Sequence, residues 1–334
     1  MLKRRSMPET ENLYYYDLHP ETESLKDAAL RGLSRPDKAM PPKFFYDAAG
    51  SVLFDAICAT PEYYPTRTET ALLRRHAGAI AATLGENCWL IEPGSGSSQK
   101  VRHLLDPLQP EAYQPLDISG DYLQQAAGEL AREFPWLPVH AVCVDFSAGP
   151  LALPGLPSQR EGRAVFFPGS SIGNFEPEDA VDFLGHLAEM LGPGGSLLIG
   201  VDLKKDEDVL HAAYNDAGGI TAAFNRNLLA RMNRELGADF ALEEFAHAAF
   251  YNPGAGRIEM HLESRRDQDV RIDGQRFHFA EGERIHTENS YKYTVPEFQA
   301  LAARAGFVPG EVWRDDSDWF SLQHLIVGEA LCRS

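Results

Sequence analysis

The chain has 334 residues, 44% of them hydrophobic and 24% charged, with a formal net charge of -18. That length exceeds most single cores and points to two domains, or to one core carrying a large insertion. So acidic a surface is a poor match for nucleic acid or an anionic membrane, so the expected partner is a small molecule. No apolar run approaches the roughly 18 residues of a membrane span. The start, MLKRRSMPETEN, has basic residues but no apolar stretch behind them, unlike a secretory signal. Cys58, Cys88, Cys143 and Cys332 are scattered, contain no CxxC pair and read as free thiols of a reducing compartment. The expectation is a cytoplasmic protein that acts as a monomer.

In chain order, residues 1–20 are polar and expected to be mobile, and 21–34 read as a short helix. The aromatic-rich segment 41–57 follows, then PEYYPTRTE, where Pro65 is expected to break regular structure before an amphipathic helix at 68–84. From Cys88 the pattern alternates. Strands are predicted at 88–92, 112–117, 139–145, 164–168 and 196–203. Helices are predicted between them from Gln99 to Asp106, over 119–134, and from Pro177 to the stop at Gly192. Such alternation means a parallel, doubly wound α/β sheet of Rossmann-like type. It lapses after Leu203 and returns with a helix at 295–308 and two closing strands, EVWRD and FSLQHLIVG. The expected organisation is therefore a core of 21–203 plus 289–334, with 204–288 as an inserted substrate-binding domain, strand-like at RIEMHLE and VRI.

The turn Glu92-Pro93-Gly94-Ser95-Gly96 joins a strand to a helix, and glycines there let the backbone approach a ligand at the carboxyl edge of the sheet. The next strand ends in Asp117, 21 residues after Gly96, placed to accept ribose hydroxyls. The third ends in Asp145-Phe146, an acid and a ring suited to an adenine. Gln99 stands where a dinucleotide fingerprint needs its third glycine, and no GKS or GKT is present. The pattern favours S-adenosylmethionine, which has no pyrophosphate. Eleven histidines form no ligand spacing, so no metal is assigned.

The strings FFYD, PEYYPTRTE, EPGSGSSQK, SSIGN, GGITAAFNRN, RIEM and TENSYKYT, spread over residues 22–330, resemble the motifs of the histidine Nα-methyltransferases of ergothioneine biosynthesis. The resemblance implies a class I methyltransferase core and S-adenosylmethionine-dependent trimethylation of the α-amine of L-histidine to hercynine. It places Gly94, Lys100, Asp117, Asp145 and Phe146 at cofactor-binding positions, which Gly96 of the turn joins. It places Tyr63, Asn174, Tyr214, Glu288 and Ser290 at substrate-binding positions, with Tyr46 and Met260 lining the same site. Pro93 and Asn289 depart from the family pattern.

The chemistry agrees. Attack on a sulfonium methyl needs a neutral, aimed amine, so the catalytic groups would act by positioning. Tyr46, Tyr63 and Asn174 offer uncharged polar contacts for that amine. Aromatic walls tolerate the quaternary ammonium of a finished product. An imidazole carries one donor and one acceptor, which a carboxylate such as Glu288 and a hydroxyl such as Ser290 can read. A relative acting on another amino acid such as tryptophan, and a non-catalytic S-adenosylmethionine-binding protein, stay open as alternatives.

Overall fold

The computed structural model describes residues 5–6, 11–18, 23–147, 149–150, 152–158 and 162–329. Expectations that fall on other positions, Cys332 among them, lie outside the described residues. The chain divides into two compact units, one of Met1–Thr22, Pro65–Lys204 and Tyr293–Ser334, the other of Glu23–Tyr64 and Lys205–Lys292.

The first unit is built on a nine-stranded sheet among the described residues. Its spatial order is Arg5–Ser6, Leu13–Asp17, Val139–Cys143, Ala112–Asp117, Trp89–Pro93, Arg163–Phe167, Ser196–Asp202, Phe320–Val327, Phe307–Arg314. The six strands from Leu13–Asp17 to Ser196–Asp202 are parallel. The short strands Trp89–Pro93 and Arg163–Phe167 are buried at every residue, the charged Glu92 and Arg163 included, as strands covered on both faces are. Phe320–Val327 then runs antiparallel to Ser196–Asp202, and Phe307–Arg314 antiparallel to it, so the doubly wound sheet is mixed at that end. From Trp89–Pro93 the chain winds first to one side and then to the other. That reversal leaves a crevice beyond the carboxyl ends of the central strands.

Two expectations change here. Pro65 does not break structure: it stands in the first turn of the helix Tyr64–Leu84, where a missing N–H removes no hydrogen bond. Leu13–Asp17 is not a mobile tail but a strand paired in parallel with Val139–Cys143. Just before it, the Asn12 amide donates to the carbonyls of Ala131 (3.1 Å) and Leu137 (2.8 Å), tying this strand to the end of the helix Gly120–Glu133. A strand stabilised by an edge that long-range folding creates leaves no local periodicity to read.

The second unit holds a three-stranded antiparallel sheet in the order Arg284–Tyr291, Arg257–Ser264, Phe245–Asn252, and a hairpin of Gln268–Ile272 with Gln275–Phe279. Asp273 (φ 50°) and Gly274 (φ 80°) close that hairpin in left-handed conformations suited to the strand twist. The helices Leu25–Leu33 and Ala48–Cys58 belong here, not with the sheet of the first unit. The reason is packing at long sequence separation. Phe45 stacks on Phe224 at 4.6 Å, Asp47 Oδ1 accepts from the Asn227 amide at 2.8 Å, and Arg231 donates to the Phe44 carbonyl at 2.9 Å. The strand Arg284–Tyr291 also runs through the expected boundary at residue 288. Among the described residues no helix is long and apolar enough to cross a membrane.

If Leu13–Asp17 is an integral strand, Asn12→Ala should cost about 1–3 kcal/mol by leaving buried carbonyls unpaired. A urea denaturation midpoint equal to that of the wild type would contradict the placement.

Candidate active site

In the first unit, the residues singled out from sequence collect at the carboxyl ends of the central strands. After Pro93 the chain turns through Gly94 (φ 65°) and Gly96 (φ 51°), conformations that glycine adopts without strain. A Cβ on Gly94 would stand 3.2 Å from the Phe146 ring, so that close approach also requires glycine. Asp117 organises the turn: Oδ2 accepts from the Gly96 amide at 3.0 Å and Oδ1 from the Ser119 amide at 2.9 Å. Burial raises its carboxyl above the ordinary range, against the lowering effect of these backbone donors. Asp145 is buried and accepts from the Ser147 amide at 3.0 Å, while Phe146 packs on Phe167 and Phe183. Ser95 Oγ is buried in the same turn with no partner among the described residues, so the turn keeps a polar atom for a ligand. Lys100 pairs at 2.5 Å with the fully buried Glu69, which also accepts from the Gly169 amide at 2.9 Å. Asn174 ends the short turn Ser171–Asn174 after the strand Arg163–Phe167.

The second unit brings together Tyr46, Tyr63, Tyr214, Met260, Glu288 and Ser290. Tyr46 meets Phe54 edge-on at 5.7 Å, Phe54 meets Tyr63 at 6.4 Å, and Tyr63 meets Tyr214 at 6.2 Å. The Tyr214 hydroxyl donates to Ser290 Oγ at 2.8 Å. Glu288 stands opposite Met260, and Ser290 opposite Ile258, so all four share one face of the three-stranded sheet. Asn174 is carried by the first unit.

A bulge makes this face. The register shifts between His286 and Glu288, and the extra residue is Thr287, whose one hydroxyl proton is shared between Asn225 Oδ1 (2.8 Å) and the Met260 carbonyl (3.0 Å). Without it, His286 and Glu288 would point the same way. With it, His286 and Asn289 lie on the other face beside His261 and Glu259. There Glu259, His261 and His286 bring ligand-type atoms within 4.8 Å of one another. Arg257 and Asn252 each hold Glu259 at 2.9 Å, and the two imidazoles stack with planes 29° apart. Within the cluster His261 Nε2 lies 3.2 Å from Glu259, while His261 Nδ1 is buried with no hydrogen-bond partner among the described residues.

The electrostatics separate the groups of the tyrosine-lined face. Burial raises the Tyr63 phenol well above its ordinary value, and Tyr214, Cys58, Glu288 and Tyr46 push the same way. Tyr63 therefore stays a neutral donor and is no base near neutral pH. Burial pushes Glu288 up from 4.5 to about 7, opposed by Lys292. Its Oε2 is buried with no hydrogen-bond partner among the described residues.

The family of histidine-specific, S-adenosylmethionine-dependent methyltransferases matches residues 25–327. The chain is 43% identical over 306 residues to the histidine N-alpha-methyltransferase of Mycolicibacterium smegmatis, covering 90% of this chain and 94% of that one. It is 40% identical, with the same coverage, to the histidine N-alpha-methyltransferase of Mycobacterium tuberculosis. It is 30% identical to ergothioneine biosynthesis protein 1 of Neurospora crassa over 83% of this chain and 32% of that longer protein.

The chain belongs to this methyltransferase family. Its mixed, parallel-rich sheet is the family's Rossmann-like core, and S-adenosylmethionine is the methyl donor that such an enzyme uses. The buried Ser95 hydroxyl, the glycine turn and the Asp117 carboxylate form a donor and acceptor set that fits that cofactor.

Sequence reasoning missed Glu69 and Lys292, and read Glu92 only as the start of the glycine turn. Glu92 is buried, raised to about 8 by burial, and takes the Tyr113 hydroxyl. Lys292 is 2% exposed, although it follows Tyr291 in a string already singled out. A lysine in an acidic chain reads as solvated until its surroundings are known.

Glu288 gives a pH-dependent signature. With its folded value near 7 and its ordinary value at 4.5, the stability it contributes is present below about 4.5 and lost as pH rises through about 7. Glu288→Gln, neutral throughout, should therefore melt above the wild type at about pH 8, and the gap should close towards about pH 4. A gap that does not change with pH in thermal melts would remove the buried carboxylate.

Proposed function

We propose that this protein methylates the α-amine of L-histidine three times, giving hercynine, the first step of ergothioneine biosynthesis. One observation carries the substrate reading: Glu288 presents a buried, unpartnered carboxylate oxygen on the face that also holds Ser290 and Met260. A buried acceptor left unsatisfied by its own protein selects a ligand that brings a donor. The imidazole N–H of histidine is such a donor. The names of the mycobacterial relatives support the same choice.

When bound, S-adenosylmethionine supplies an electrophilic methyl group on a sulfonium. Asp117 would hold the ribose hydroxyls, Asp145 and Phe146 the adenine, and Gly94 and Gly96 leave room for close approach, with Lys100 fixed beside the turn by Glu69. Tyr63 and Asn174 would position the amine through neutral hydrogen bonds, so that no fixed charge favours the protonated ammonium. Tyr46, Tyr63 and Tyr214 would wall the site with ring faces that accept a growing ammonium. Glu288 would accept the imidazole N–H and Ser290 would serve the other ring nitrogen.

The test is turnover of each of the twenty amino acids with S-adenosylmethionine, followed by mass. Histidine alone should gain three methyl groups. Glu288→Ala should lower kcat/KM for histidine by roughly 2–3 kcal/mol, as loss of a hydrogen bond to a charged group does. It should also lower the histidine-to-tryptophan ratio. A ratio that does not fall means that Glu288 does not read the imidazole.

A further inference from the structure

Lys292 has no role in the reading above, yet it is a charged side chain with 2% exposure. Burying an ammonium is costly unless its donors are used, so its partners say what it is for. Its Nζ donates to Ser290 Oγ at 2.8 Å and to the Tyr214 hydroxyl at 3.1 Å, and lies 5.0 Å from the centre of the Tyr214 ring. Both hydroxyls belong to the proposed imidazole-reading face.

The directions of these bonds matter more than their number. An ammonium has only donors, so both hydroxyl oxygens must accept from it. The Tyr214 phenol, the more acidic hydroxyl, donates to Ser290. Ser290 Oγ thus accepts twice, from Lys292 and from Tyr214, and both its lone pairs are filled. Its own proton has no acceptor among the described residues. It is left to point at a ligand, and while Tyr214 donates to Ser290 the hydroxyl has no lone pair with which to accept from one.

We infer that Lys292 is a positioning residue that fixes Ser290 as a one-way donor, so that the face offers one acceptor at Glu288 and one donor at Ser290. That pair is complementary to a neutral imidazole, with its single N–H and its single bare nitrogen. It is not complementary to a five-membered ring that carries the N–H alone. The inference rests on the histidine reading above and adds what enforces it: the discrimination comes from a buried cation that need not touch the substrate.

The experiment compares kcat/KM for histidine with that for pyrrolylalanine isomers, in which C–H replaces the acceptor nitrogen. The wild type should prefer histidine by about tenfold or more, the worth of one hydrogen bond and its unmet donor. In Lys292→Met a lone pair on Ser290 is released, its hydroxyl can rotate away from the C–H, and the ratio should fall towards one. Lys292→Arg, which keeps a donor-only cation, should retain most of the preference. Ser290→Ala should lose it, and adding Lys292→Met should lower it no further. A lysine that only supports the fold would lower turnover of both substrates together and leave the ratio intact. A folded Lys292→Met variant with the wild-type ratio overturns the inference. If Lys292→Met does not fold, Ser290→Ala decides, and a wild-type ratio there overturns it equally. Failure of the wild type to methylate histidine at all would instead overturn the reading beneath it.

Discussion

A buried carboxylate oxygen, Glu288 Oε2, with no hydrogen-bond partner among the described residues is the constraint around which the sheet of the second unit is arranged. In the proposed reading Glu288 is desolvated in order to select a ligand donor, and desolvation pushes it towards its neutral form. Lys292 opposes that push from within the same strand end while remaining buried itself. The hydroxyls of Tyr214 and Ser290 each accept from the cation.

The Thr287 bulge makes this arrangement compatible with an ordinary antiparallel sheet. One extra residue puts Glu288 and Ser290 on one face and His286 and Asn289 on the other. The bulge is itself held by Asn225, whose amide donates to the His261 carbonyl at 2.9 Å and whose oxygen accepts from Thr287. A buried asparagine on a helix thereby sets the register of two strands. In the first unit, Asp117 plays the comparable part, gathering the Gly96 and Ser119 amides and so shaping the glycine turn.

The two units were unequally legible. The five parallel strands from Trp89–Pro93 to Ser196–Asp202 that were read from the sequence are largely apolar runs closed by glycine or acidic turns, and their bounds lie within a residue or two of the expectation. The helix Ile220–Leu236 went unread because its buried face carries Thr221, Asn225 and Asn227 among its apolar residues, which erases the apolar stripe. The strands Phe245–Asn252 and Arg284–Tyr291 were missed for a related reason. Both of their faces carry polar groups, one face of Arg284–Tyr291 holding Glu288 and Ser290 and the other His286 and Asn289.

The sequence by itself determined the alternating core, the glycine turn with acids at the next two strand ends, and membership of a methyltransferase family. These follow from local periodicity and from short strings, which survive without knowledge of contacts. Only the tertiary structure decided that residues 23–64 join the second unit and that Leu13–Asp17 is a strand. It alone showed that Lys292 is buried against Ser290 and Tyr214. Each depends on partners many residues away, and a side chain's charge state and hydrogen-bond direction are properties of its surroundings, not of its place in the chain.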